Sequence, residues 1–184
     1  MAHRYRVAVL GGTFDQFHAG HQSLLRRAFA TADTVGIGLT TASYLKRFPK
    51  PLARRIQPYA ERKRVLAHWL RTHYGRHRWW IAPLGEPFGR SVGPGVDVLV
   101  VSSDTRAGGR AVNRERRRRS LPRLPIEVVP LVLARDHRPI ASRRIRAGEI
   151  DPHGRRIASA MSRLRARPPR RGRRLRSSRK VLPR

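Results

Sequence analysis

The sequence predicts an α/β fold, a parallel sheet of about five strands with helices on both faces. Three observations lead there. Short apolar runs alternate with longer segments of helical period, the connections between them are short, and the first apolar run ends in a glycine loop that opens a helix. Alternating strands and helices make crossover connections, which bury a parallel sheet from both sides.

The elements follow in order. The first strand is expected over 5–10, and a helix over 20–31 then puts Leu24, Leu25, Ala28 and Phe29 on one face. After a second strand at 34–39, a helix over 58–74 aligns Tyr59, Leu66, Trp69, Leu70 and Tyr74, with Pro58 tolerated in its first turn. Strands at 79–84, 96–101 and 126–133 complete the sheet, with a weaker helix over 107–119 and a short one from Ser142. Trp79 and Trp80 are expected to serve as strand core and sheet cover. Ligands of such sheets sit beyond the carboxyl ends of the strands, where the strand order reverses.

Composition removes whole classes of function. The 184 residues include no cysteine, so disulfide frameworks, thiolate nucleophiles and Cys-ligated zinc drop out. No apolar run approaches the ~18 residues of a membrane span. Residues 1–5 run straight into the first strand, which leaves no room for a signal peptide and gives a cytoplasmic expectation. The chain carries 42 Lys+Arg, of which four are Lys, against 11 Asp+Glu, for a net charge of +31. Residues 155–184 hold 13 basic side chains and no acidic one, so the domain is expected over 1–154 and the extension over 155–184. That Arg-rich extension is expected to be largely disordered, after a helix over about 155–165, and to attract RNA or DNA non-specifically by counterion release. A second basic run stands at Arg116-Arg117-Arg118-Arg119. No zinc-finger spacing, aromatic-glycine RNA signature or basic zipper accompanies this charge.

The chemistry is expected at the end of the first strand, in Gly11-Gly12-Thr13-Phe14-Asp15-Gln16-Phe17-His18-Ala19-Gly20-His21. Two glycines admit a ligand close to the backbone, Thr13 offers a hydroxyl, and a helix N-terminus presents unpaired N–H groups to an anion. Phosphate is the expected guest. The loop lacks Gly-Lys-Ser/Thr and Gly-x-Gly-x-x-Gly, so neither a P-loop nor a nicotinamide site is supported. His18 and His21 have no further ligands at metal-site spacing, and no protein-held metal is expected.

Gly-Thr-Phe-Asp followed by His-x-Gly-His resembles the nucleotidyltransferase superfamily that includes the cytidylyltransferases. Further stretches narrow the resemblance to archaeal and eukaryotic-type phosphopantetheine adenylyltransferases: Val35 to Thr40, Lys50-Pro51, Pro58-Tyr59-Ala60-Glu61-Arg62, Val101 to Thr105 with Gly108 and Asn113, and Ile140 to Gly154. The resemblance implies a Rossmann-like nucleotidyltransferase fold that joins the adenylyl group of ATP to 4′-phosphopantetheine, giving dephospho-coenzyme A and pyrophosphate. It implies that His18, Lys50 and Thr13 act on the reacting phosphates, Lys50 bridging the acceptor phosphate and the nucleotide α-phosphate. It places Gly11, Gly12, Thr13, Phe14, His18, His21, Ser142, Arg143, Arg144 and Arg146 around ATP, with magnesium on the triphosphate. Asp15, Thr40, Lys50, Arg62, Ser102 and Thr105 are implied near the substrates.

The chain departs from the family pattern at Ala141 and Arg143, where hydroxyl residues are usual, and at Ala42-Ser43, where an acidic residue is common. Two other readings stay open: transfer to another phosphorylated acceptor such as FMN, nicotinamide mononucleotide or glycerol phosphate, and a catalytically impaired relative that binds nucleic acid through its tail. Arg62 and Asn113 have a competing reading as braces of their helices.

Overall fold

In the computed structural model, which describes residues 3–157, five parallel strands form one sheet in the order β3-β2-β1-β4-β5. The strands are β1 (Tyr5–Gly12), β2 (Ala32–Thr40), β3 (Trp79–Leu84), β4 (Val98–Ser102) and β5 (Ile126–Val129). The helices are α1 (Ala19–Thr31), α2 (Ala42–Arg47), α3 (Tyr59–Tyr74), α4 (Arg106–Arg118) and α5 (Ser142–Arg146). Order reverses at β1, which pairs with β2 on one side and β4 on the other. The crevice of such a sheet therefore opens beyond Gly12 and Ser102.

Alternation along the strands explains the two cores. Ala8 and Leu10 of β1 join Val35, Ile37 and Leu39 of β2 against Leu25, Ala28 and Phe29 of α1 and Leu66 and Leu70 of α3. Val9 points the other way, with Leu99 and Val101, onto Val112 of α4. In β2 the residues between the apolar ones are Gly36 and Gly38, and Trp80 lies over Gly36 so closely that a Cβ there would stand 2.3 Å from Trp80 Cζ2.

Several boundaries differ from the sequence expectation for identifiable reasons. β1 runs on through Gly11 and Gly12, which pair with Gly38 and Leu39. β5 stops before Pro130, which has no N–H to give the ladder. α2 was not expected; its six residues are too few to show a period, and Thr41 starts it by accepting from Tyr44 N–H at 3.2 Å. Residues 155–157 are not helical: Arg156 bridges Ile150 antiparallel, and Ile157 N–H donates to Glu149 C=O at 3.2 Å. The rest of the expected 155–165 helix and of the basic extension lies outside the described residues.

The arginine run is not uniform. Arg116 is buried and donates to the carbonyls of Pro122, Ser91 and Gly93 at 2.6, 2.8 and 2.9 Å, while burial lowers its pKa. Beside it, Asn113 exchanges two 2.8 Å hydrogen bonds with the backbone of Leu124, which braces α4 against the chain entering β5. No helix among the described residues is long and apolar enough to cross a membrane.

Candidate active site

The glycine loop leaves β1 and makes two left-handed steps, at Phe14 (φ 48°) and Gln16 (φ 49°), before α1 begins. These turns bury Phe14 and Asp15 and bring His18 to the first position of the helix cap. Gly20 N–H donates to His18 Nδ1 at 3.1 Å, so the imidazole satisfies one of the helix's free donors. That bond fixes the tautomer. With Nδ1 accepting, a neutral His18 carries its proton on Nε2, 3.3 Å from Ser142 Oγ, which in turn donates to Asp15 C=O at 2.8 Å. Burial lowers the His18 pKa from 6.5 to about 4 against the opposing pull of Asp15, so the ring is neutral at neutral pH. His21 stacks on it at 3.8 Å between ring centroids; burial first, then His18 and Lys50, lowers its pKa well below 6.5.

Asp15 is fully buried and is the hub of the loop. Its carboxylate pairs with Arg146 of α5 and accepts from Gln57 N–H at 2.9 Å. Arg146 also donates to Pro51 C=O at 2.9 Å, next to Lys50. Lys50 is itself exposed and lines the cleft. Desolvation beside the wall, then Arg146 and Arg62, lowers its pKa from 10.5, with Asp15 opposing.

Arg62 is buried and gives all its nitrogens to backbone: to Gln57 C=O at 2.9 Å, Thr13 C=O at 2.7 Å and Thr40 C=O at 2.9 Å. It ties the ends of β1 and β2 to the start of α3, which is the bracing alternative rather than a free donor. Asn113 is likewise occupied by Leu124. Arg144, too, is committed, to Asp136, to Glu149 at 3.0 Å and to Pro139 C=O at 3.0 Å, whereas Arg143 beside it is exposed. Ser102 and Thr105 cap the turn after β4, their hydroxyls 3.0 Å apart, and Thr105 lines the cleft.

A cleft of about 800 Å³ opens over Gly11, Gly12, Thr13, Thr40, Lys50 and Thr105. Its walls include Tyr44, Phe48, Trp80, Leu84 and Phe88, none of which the sequence singled out for this place. Among the described residues, three buried side-chain polar atoms lack a partner: Thr13 Oγ1, Thr40 Oγ1 and Arg146 Nε. All three belong to this end of the sheet, since one Arg62 guanidinium reaches both threonine carbonyls and Arg146 holds Asp15. Unpaired buried groups are costly, and their gathering at one place marks where a polar ligand would complete the structure.

The cytidylyltransferase-like family model matches residues 9–148. The chain is 38% identical to the phosphopantetheine adenylyltransferase of Methanopyrus kandleri over 149 residues, covering 80% of this chain and 92% of that protein. It is 37% identical to the phosphopantetheine adenylyltransferase of Methanothermobacter thermautotrophicus over 169 residues, 90% of this chain and 99% of that protein. The chain belongs to the phosphopantetheine adenylyltransferase family. Among solved structures, a protein of unknown function from Archaeoglobus fulgidus superposes with a TM-score of 0.59 at 27% identity, over 67% of this chain and 88% of that one. The Rossmann-like nucleotidyltransferase fold expected from the motif is therefore the fold of this family member. Its departures at Ala141 and Arg143 fall on α5 and its cap, where Ala141 supplies no side-chain bond to the helix start.

Proposed function

We propose that this enzyme transfers the adenylyl group of ATP to 4′-phosphopantetheine, giving dephospho-coenzyme A and pyrophosphate. The observation that carries the reading is the gathering of unpartnered polar groups and neutral histidines at the mouth of β1, in a chain 37–38% identical over most of its length to the adenylyltransferases of two archaea.

The reaction needs no covalent intermediate. An acceptor phosphate oxygen attacks the α-phosphorus of ATP, the bond to the β-phosphate oxygen breaks, and pyrophosphate leaves with the electron pair. Catalysis is then positioning together with neutralisation of charge that grows on the transferring group. His18 Nε2–H is a neutral donor already oriented by Gly20, and it exchanges Ser142 Oγ for a phosphate oxygen without moving its ring. Thr13 Oγ1 supplies a second donor. Lys50 brings a compact cation to the cleft edge, between acceptor and α-phosphate. Arg143 is free to meet the outer phosphates, while Arg144 and Arg62 act through the loops they hold.

Among the described residues no three His, Asp or Glu side chains converge to form a metal site. Magnesium would enter as part of the nucleotide substrate, on the triphosphate, where it keeps most of its waters.

The test is pyrophosphate release with ATP and magnesium, comparing 4′-phosphopantetheine, FMN, nicotinamide mononucleotide, glycerol phosphate and no acceptor. Release that requires 4′-phosphopantetheine is the expected result. Release with another acceptor alone would replace the substrate assignment, and silence with all of them from a folded sample would overturn the reading.

A further inference from the structure

We propose that the buried Asp15–Arg146 pair is a positioning device whose task is to seat the 50–57 segment, and with it Lys50, at the mouth of the cleft. This rests on the adenylyltransferase reading for what Lys50 does, but the geometry of the device stands apart from it.

Three bonds join the pair to one stretch of chain, and a fourth ties that stretch to the neighbouring Gln16. Arg146 donates to Pro51 C=O at 2.9 Å, Arg55 donates to Arg146 C=O at 2.8 Å, and Gln57 N–H donates to Asp15 Oδ1 at 2.9 Å. Gln57 then closes the ring, its Oε1 accepting from Gln16 N–H at 2.8 Å. At its far end Gln57 is also held by Arg62 and Glu61 of α3, but the middle is loosely tied: Leu52 sits at φ 55°, and Leu52, Ala53, Arg54 and Arg55 are exposed. The pinned carbonyl of Pro51 belongs to the residue immediately after Lys50. Arg146 and Asp15 together thus fix the strap at both ends, while neither carboxylate oxygen of Asp15 reaches solvent.

The arrangement also explains why a carboxylate stands among phosphate-binding groups. An exposed anion there would repel nucleotide. Asp15 is instead wholly buried and matched to Arg146, and a buried pair of this kind is retained at a cost in desolvation that specificity of structure offsets. Arg146 gives its two terminal nitrogens to Asp15 and Pro51 and keeps only Nε unpaired.

The charged and titratable groups facing Lys50 are Arg146 from α5, Asp15 from the β1–α1 loop, Arg62 from α3 and the neutral His21 from α1. This gives a test with opposite signs. If Lys50 stays seated when Asp15 loses its charge, the loss of a neighbouring anion drives the lysine pKa further down. If the strap is released, Lys50 moves away from Arg146, Arg62 and the wall, and its pKa climbs toward 10.5.

The measurement is the pH midpoint of Lys50 acetylation, read peptide by peptide by mass spectrometry, with Lys46 as internal reference; the chain has only four lysines to resolve. Asp15→Asn is expected to raise the Lys50 midpoint and leave that of Lys46 in place. Arg55→Gln leaves both buried charges in place and serves if the single variant does not fold, whereas the paired variant Asp15→Asn with Arg146→Gln, which also removes a cation that lowers the Lys50 pKa, is read in turnover alone. Arg55→Gln, which frees one bond on the surface, is expected to give a smaller shift in the same direction. In turnover, the paired variant should lose about 10²-fold in kcat with a smaller change in the KM for ATP, the cost of a misplaced group. A Lys50 midpoint that falls or stays put in folded Asp15→Asn, or in Arg55→Gln where Asp15→Asn does not fold, overturns the proposal. Because acetylation needs no substrate, a raised midpoint in a protein that adenylates nothing would retain the device and reject the function, whereas an active enzyme with an unmoved midpoint would do the reverse.

Discussion

Gly20 lies directly under the ring of His18: its N–H donates to His18 Nδ1 at 3.1 Å, and a Cβ in its place would stand 3.0 Å from His18 Cε1. The glycine between the two histidines of the motif is therefore a steric requirement of the cap that orients His18, not of helix geometry. Alanine is the better helix former by about 1 kcal/mol. Gly20→Ala is expected to fold with unchanged or higher Tm yet lose about 10-fold or more in kcat/KM, since the imidazole must tilt away from its set direction. Calorimetry and steady-state kinetics on the one variant separate the two effects, and unaltered turnover would show that the ring has room to yield.

His18→Ala is expected to be the most damaging single side-chain removal at the site. It deletes both the donor at Nε2 and the acceptor that caps α1. By analogy with loss of one preorganised donor, kcat should fall on the order of 10²–10³. His18→Asn retains a cap, because asparagine satisfies helix N-termini well. It should recover the Tm without recovering the rate, and recovery of both would mean that His18 matters only as a cap.

The adjacent arginines of α5 separate structure from chemistry. Arg144 is buried and ties Asp136, Glu149 and Pro139 into the loop that carries α5. Its removal leaves two carboxylates without their cation, so Arg144→Ala should lower Tm clearly. The Arg144 bond holds the Asp136 carboxyl below its ordinary value, so that contribution is present above pH 3.8 and is lost as acid titrates Asp136. Arg143→Ala should leave Tm unchanged and raise the KM for ATP. An Arg143→Ala enzyme with unaltered KM would show that the departure from the family's hydroxyl pattern is neutral here.

Gly36→Ala tests the apolar wall of the cleft. The added methyl would meet Trp80 Cζ2 at 2.3 Å, and the indole must swing toward the open side where Leu84 and Phe88 stand. The α1 and α3 core lies on the opposite face of β2 and is untouched. Tryptophan fluorescence should shift, and the KM for the acceptor should change more than the KM for ATP. A changed KM for ATP alone would place the nucleotide, not the acceptor, against this wall.

Much of this arrangement was legible in the sequence because it is local. Strand and helix periods located nine of the elements, and the cap, glycine and histidine of the first motif lie within eleven consecutive residues. What the sequence hid is long-range. Asp15 and Arg146 are 131 residues apart, and no spacing announces that a residue in a phosphate motif is sealed against another. Arg143 and Arg144 look alike in the chain, yet 100° of helical turn sends one to solvent and the other into a network. Gln57 carries no motif at all, and only its bonds to Asp15 and Gln16 on one side and to Arg62 and Glu61 on the other reveal that it holds the loop. Pairing of candidate groups with backbone carbonyls, as at Arg62, was likewise invisible, because every residue offers the same acceptor.

The buried imidazoles give a final prediction, on acid stability. His18 in the folded chain resists protonation until about pH 4, whereas in the unfolded chain it takes a proton near pH 6.5. Between those values the unfolded state binds more protons, so stability rises with pH across the window and is lost as pH falls through it. His21, lowered in the same direction, adds to the slope. A shift of this size corresponds to about 3 kcal/mol for His18 at full effect. Denaturant unfolding at pH 7, 6, 5 and 4.5 should therefore show steeply falling stability, and His18→Asn should flatten the curve by removing one titrating group. Because the neutral ring is the donor-bearing form set by Gly20, the acid limb of kcat should lie below the ordinary histidine range. An acid limb near pH 6.5 would mean that the ring titrates freely in the working enzyme and that its tautomer is not held by the cap.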